Sequence, residues 1–166
     1  LRLLPLLLLF ASSASSANSF TVESSLGEHE LICRACGQTI TKDTSILRKD
    51  EQQKISPDYD YEMAMLGVNT TVHVLTNPAG QRFHVLSTRH ANVKLTTEPS
   101  PDATWYPGKA WSISVCPHCG AHMGWYFTPI GSNGQETKDD FHGIILDRVI
   151  SAEFCDSMIR IPGGKP

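Results

Sequence analysis

The chain has no cluster of Lys or Arg, and its 14 basic residues against 17 acidic ones give a formal charge of −3. A nucleic-acid partner is therefore not expected, since neutralising a phosphate backbone takes a basic face. No apolar run is long enough for a membrane anchor: the longest, residues 3–10, falls well short of the roughly 20 residues that span a bilayer. There is no internal repeat and no linker that would divide the 166 residues, so one domain with a full core is expected.

The short apolar run has a specific reading. Arg2, the run 3–10 and the small residues ending in Ser15-Ser16-Ala17 match a secretory signal peptide cut after Ala17. A short core helix is the alternative. Removing 1–17 takes away one charged residue, Arg2, and so moves the charge from −3 to −4. The expected product is a soluble, secreted domain, residues 18–166, with its core at about 28–152.

Short alternating or β-branched segments recur at 30–33, 71–75, 82–86, 93–97, 110–115, 122–127 and 142–151. Turn sequences separate them, among them Asn77-Pro78-Ala79-Gly80, Pro107-Gly108 and Gly131-Ser132-Asn133-Gly134. This spacing predicts an all-β fold of packed antiparallel sheets rather than parallel βαβ units. The polar stretch 41–60 has weak periodicity and is expected to hold a short helix or a loop, and Asp58-Tyr59-Asp60-Tyr61-Glu62 reads as a solvated loop or helix start. The tail 161–166 is expected to fray.

Four of the five cysteines form two Cys-x-x-Cys pairs, Cys33/Cys36 and Cys116/Cys119, 80 positions apart. Two such knuckles supply the tetrahedral set of four sulfurs that Zn²⁺ prefers. Gly37 and Gly120 follow them with the backbone freedom that such turns use. Disulfides are the competing reading for a secreted chain, and a redox pair a third. A chain of this size does not need bridges to hold a core, and the spacing favours metal. With four sulfurs no position remains for a catalytic water, so the zinc is expected to be structural. His118 and His122 lie beside the second knuckle and read as supporting or strand residues. Cys155 sits among acids, which oppose thiolate formation, and reads as a half-buried strand residue.

All three tryptophans lie between positions 105 and 125. Trp105-Tyr106-Pro107-Gly108-Lys109-Ala110-Trp111 places two indoles around a Pro-Gly turn, and Trp125-Tyr126-Phe127 puts two aromatics on one strand face. Held together by the metal knuckle, the three indoles can form a cage with flat walls and N–H tips, suited to a flat neutral ring or a quaternary ammonium. Plain core packing is the alternative. Asn69-Thr70-Thr71 is an N-glycosylation acceptor.

The run from Trp105 to Phe127, with its Pro-Gly turn, its Cys-x-x-Cys and the His122-Met123-Gly124-Trp125 step, closely resembles the CULT domain family, which includes the thalidomide-binding domain of cereblon and secreted single-domain relatives. Cys33, Cys36 and the Asn77 turn match in order and separation. The resemblance implies a β-tent, two antiparallel sheets meeting at a steep angle and pinned by a zinc site of four cysteines. It further implies a non-catalytic pocket formed by Trp105, Trp111 and Trp125 on a floor of Phe127. A cyclic imide or uracil-like ring, or a modified peptide end, would bind there through the main chain of Ala103 and Trp105, with Asn77 and Pro78 at the rim. The family commonly has His where this chain has Ala103, which implies weaker or altered affinity. No ubiquitin-ligase adaptor is expected, because only 15 residues lie between Ala17 and Cys33. The alternative is an oxidoreductase similar to the methionine sulfoxide reductase B family with Cys155 as nucleophile, although that family's Arg-x-Cys-x-Asn context is missing.

Overall fold

The computed structural model describes residues 29–47, 59–132 and 135–159. The proposed signal peptide and the C-terminal tail lie outside them. In chain order the strands are β1 (Glu30–Cys33), β2 (Thr39–Lys42), β3 (Tyr59–Met65), β4 (Val68–Thr76), β5 (Arg82–Thr88), β6 (Lys94–Leu95), β7 (Lys109–Val115), β8 (His122–Pro129), β9 (Phe141–Ile145) and β10 (Val149–Ser151), followed by helix α1 (Ala152–Ile159). They form two antiparallel sheets, as expected: a small one ordered β10-β1-β2 and a large one ordered β3-β4-β5-β9-β8-β7-β6.

Local chemistry explains most of these elements. The β3–β4 hairpin turns on two residues, Leu66 and Gly67, both at positive φ (53° and 75°), the backbone of a tight hairpin whose twist matches its strands. Around the 77–80 turn, Asn77 Oδ1 accepts the Gln81 amide at 2.8 Å, and Gly80 adopts φ 79°. One core cluster, with Leu31, Ile40, Leu86, Met123 and Ile144, lies around the cysteines; a second, with Leu75, Val85, Tyr106, Phe127 and Phe141, lies under the tryptophans.

Several expectations need correction. Residues 59–62 are strand, not loop or helix start. Their acids alternate with Tyr59 and Tyr61 and find partners on β4: Asp60 Oδ1 bonds His73 Nδ1 at 2.8 Å, and Glu62 accepts from Thr71 at 2.7 Å. The stretch 41–60 does include a short 3-10 turn, Asp43–Ser45, but it begins with the end of β2, and 48–58 lie outside the described residues. The segment 142–151 is two strands in different sheets, because a 3-10 turn at Leu146–Arg148 carries the chain from one to the other. Cys155 lies half-buried on α1, not on a strand. Ser151 caps that helix, its Oγ accepting the Phe154 amide at 3.1 Å, and Glu153 in the first turn pairs with His29 beside β1.

His142 on β9 makes the fold sensitive to acid. Burial, reinforced by nearby His90 and opposed by Asp140, lowers its pKa from 6.5 to about 4, and its Nδ1 is buried without a partner. The unfolded chain therefore takes up a proton below pH 6.5 that the folded chain refuses until about pH 4, so stability is full above 6.5 and falls as the pH drops through that interval. At about 1.4 kcal/mol per pH unit the loss is on the order of 3 kcal/mol. Urea unfolding of wild type and His142→Phe at both ends of the interval checks this; equal pH slopes in the two proteins would refute it.

Candidate metal centre and aromatic cavity

The two knuckles fold alike. After β1, the Cys36 and Gly37 amides turn back on the Cys33 carbonyl at 3.3 and 2.8 Å; after β7, the Gly120 amide bonds the Cys116 carbonyl at 2.9 Å. Gly37 and Gly120 take φ values of 78° and 74°, as their place in the knuckles requires. All four sulfurs lie within 4.8 Å of one another. Between knuckles, Cys33 and Cys119 lie 3.7 Å apart and Cys36 and Cys116 3.6 Å. A disulfide would need about 2.05 Å. A tetrahedron of sulfurs bonded to one ion at about 2.3 Å has edges of about 3.8 Å, so the donor set fits a single tetrahedral metal ion. Cys33 and Cys116 are buried whereas Cys119 is exposed. His118 and His122 are not in the cluster. His122 instead opens β8, its Nε2 lies 3.1 Å from the Gly124 carbonyl, and burial lowers its pKa, which keeps the ring neutral near pH 7.

Because one knuckle follows β1 and the other joins β7 to β8, a bound ion ties the small sheet to the large one. Three residues past Cys119, β8 begins and delivers Trp125 and Phe127 to one face of the large sheet. Trp111 on β7 lies across from Phe127, and Ile113 across from Trp125. Trp105 arrives from the 104–108 turn, anchored by Tyr106, which is fully buried edge-on against Phe127 and Phe141 at 4.6 and 4.8 Å. Burial pushes the Tyr106 phenol up to about 12, so it stays neutral.

The result is a cavity of about 290 Å³ lined by Asn77, Pro78, Asp102, Ala103, Trp105, Trp111, Trp125 and Phe127. All seven residues singled out from the sequence for the pocket thus meet around one space. Trp105 and Trp125 stand at 87° with centroids 4.8 Å apart, and Trp125 is braced by Phe83 at 5.1 Å and by His122 at 5.0 Å. Asp102 and Phe83 escaped the sequence reading. Phe83 was legible in principle, since it shares a strand face with the core residue Val85.

Two of the three expected indole N–H tips are already used within the protein. Trp105 Nε1 donates to the Thr76 carbonyl at 2.9 Å and Trp111 Nε1 to the Asp102 carbonyl at 2.8 Å. These bonds fix the plane of each indole and leave the neighbouring main chain to supply polarity. Ala103, in the same loop, takes a φ of 51°, a left-handed conformation uncommon for a residue with a side chain. Cys155, on α1 against the small sheet, does not line the cavity. Asn69 is exposed on β4.

A two-sheet β-domain with four cysteines clustered closely enough to hold a metal ion, and an indole-walled cavity beside them, is the class of protein that fold and site define. No family model matches the chain. It is similar to cereblon of Gallus gallus (33% identical over 128 residues, 74% of this chain and 25% of that protein) and of Xenopus tropicalis (33% over 101 residues, 60% of this chain and 19% of that protein). Cereblon of Danio rerio is 31% identical over 101 residues, 60% of this chain and 20% of that protein. The chain belongs to the cereblon-like domains of the CULT type, and it spans a quarter or less of the length of these relatives.

Proposed function

We propose that this chain is a secreted, non-catalytic binding module whose cavity takes a cyclic imide or uracil-like ring, free or as a modified peptide end. The observation that carries the reading is the cavity itself: three fixed indoles and Phe127 enclosing about 290 Å³ in a CULT-type domain. That volume is at the small end for ligand pockets and suits one ring better than an extended molecule. The indole walls desolvate the ring. Main-chain groups of Ala103 and Trp105 then select its acceptor-donor-acceptor edge, and Asn77 and Pro78 form the rim. Buried polar edges left unpaired are costly, which is how a few such bonds discriminate among flat rings.

Structural Zn²⁺ in the tetrathiolate holds the two sheets in register and takes no part in chemistry. Secretion is supported by the signal-like pattern of 1–17, and the exposed side chain of Asn69 offers a site for N-glycosylation. The function needs no nucleic acid, membrane anchor or ubiquitin-ligase adaptor.

Titration of tryptophan fluorescence with uracil, a glutarimide and a trimethylammonium compound tests the pocket. The imides should quench, and Trp125→Ala should weaken the response at least tenfold, because it removes the wall shared by Trp105, Phe83 and His122. A response to the cation alone would replace imide recognition with ammonium recognition. Recovery from culture medium of a product beginning at Asn18 checks export; retention in the cell with residues 1–17 intact would refute it.

A further inference from the structure

The β7–β8 hairpin has two chemically different faces. Where Trp111, Trp125 and Phe127 point to the indole cavity, the alternate residues Ser112, Tyr126 and Thr128 belong to the opposite face. There the chain 97–99 arches away from β7, after the Thr96 amide has bonded the Ile113 carbonyl at 2.9 Å. Strand β6 pairs for only two residues, and the Ile113 amide donates to Thr97 Oγ1 at 2.9 Å rather than to main chain. Pairing then resumes as an isolated bridge between Ser100 and Trp111. The arch leaves a cleft of about 510 Å³ that shares no lining residue with the indole cavity.

The floor of this cleft is polar and already set. Ser112 and Thr128 are almost fully buried. Thr128 Oγ1 lies 2.9 Å from Ser132 Oγ. The Tyr126 hydroxyl donates to Asp140 at 2.6 Å, and the same carboxylate accepts the Thr137 amide and hydroxyl, each at 2.8 Å. With its proton committed, the Tyr126 oxygen keeps only acceptor capacity, and its ring is held in place. Glu98 and Gln135 stand on the walls with Thr96 and Thr97, and Leu95 and Pro99 add an apolar stretch of wall. Among the described residues, no Lys, Arg or His lines the cleft.

This chemistry narrows the ligand. A carboxylate without a cation disfavours anions, and the hydroxyl floor is too polar for a flat apolar ring. A carboxylate, a carboxamide and several hydroxyls, set among one aromatic ring and the apolar Leu95 and Pro99, match a neutral ring bearing several hydroxyls, whose O–H groups donate to Glu98 and accept from Gln135 and Ser112 while its C–H faces lie against Tyr126 and the apolar wall. We propose that the cleft behind the indole cavity is a second binding site, for a hexopyranose-type sugar.

Amide chemical shifts of the ¹⁵N-labelled, zinc-loaded protein, titrated with methyl glucoside, methyl galactoside and methyl mannoside, test this, with acetate and a trimethylammonium compound as controls. At least one sugar should move amide resonances at 95–98, 112, 126 and 128, leaving the imide response of the tryptophans unchanged. The exposed pair Glu98→Gln/Gln135→Ala should weaken that binding at least fivefold without loss of fold. Absence of shifts with all three sugars, shifts confined to the indole cavity, a response to the ammonium compound alone, or undiminished binding in the double variant would each overturn the proposal. None of these results bears on imide recognition, which is read separately by fluorescence.

Discussion

Stripping the metal with a chelator is expected to abolish cooperative unfolding of the domain and, with it, quenching by imides. The small sheet has three strands, and the four sulfurs are where a bound ion would staple it to the β7–β8 end of the large one. A structural zinc site contributes about 10 to 16 kcal/mol, which equals or exceeds the roughly 5 to 15 kcal/mol by which domains are stable at all. The ligands should not be equivalent. Cys33 and Cys116 are each 1% exposed, so Cys33→Ser or Cys116→Ser leaves a buried, poorly coordinating hydroxyl and should match the apo protein. Cys119 is exposed, so in Cys119→Ser a water can occupy the fourth position and the loss should be partial. Thermal unfolding followed by circular dichroism, alongside zinc content, checks the order. A chelated protein that melts within a few degrees of the untreated one would refute the clamp.

The knuckles and the indole cavity were legible in the sequence because their signals are local. Cys-x-x-Cys spacing places two sulfurs together whatever surrounds it, and the period of two in Trp125-Tyr126-Phe127 assigns faces without knowledge of the partner strand. What was illegible depended on distant partners. The alternating acids of β3 look solvated until His73 and Thr71 are placed beside them. The N–H groups of Trp105 and Trp111 look available until the Thr76 and Asp102 carbonyls, 29 and 9 positions away, are seen to take them. The break between β9 and β10 was hidden for another reason: apolar residues flank it on both sides, Ile144 and Ile145 before and Val149 after, all buried, and only Leu146-Asp147-Arg148 marks the change of sheet. The same dependence on a distant strand applies to one glycine in the motif that carried the family resemblance.

Gly124→Ala is expected to cost more than about 4 kcal/mol, a severe loss for a single methyl group. Gly124 sits at φ 145°, in a region essentially closed to residues with a side chain. A Cβ there would lie 1.9 Å from the Gly143 carbonyl oxygen and 3.0 Å from its carbon, both backbone atoms of the neighbouring strand β9. No rotamer relieves that overlap, so β8 must leave β9, and Trp125 and Phe127 go with it. Gly143 makes an informative contrast. Its added Cβ would meet Val85 Cγ1 at 3.0 Å and Phe127 Cε2 at 3.1 Å, which are side-chain atoms able to shift. Gly143→Ala should therefore keep the fold while pressing Phe127 toward the cavity, weakening imide binding with a smaller stability change. Urea unfolding and fluorescence titration of the two variants separate these effects. If Gly124→Ala fell within about 1 kcal/mol of wild type, the close contact between β8 and β9 that seats the cavity floor could not be as described.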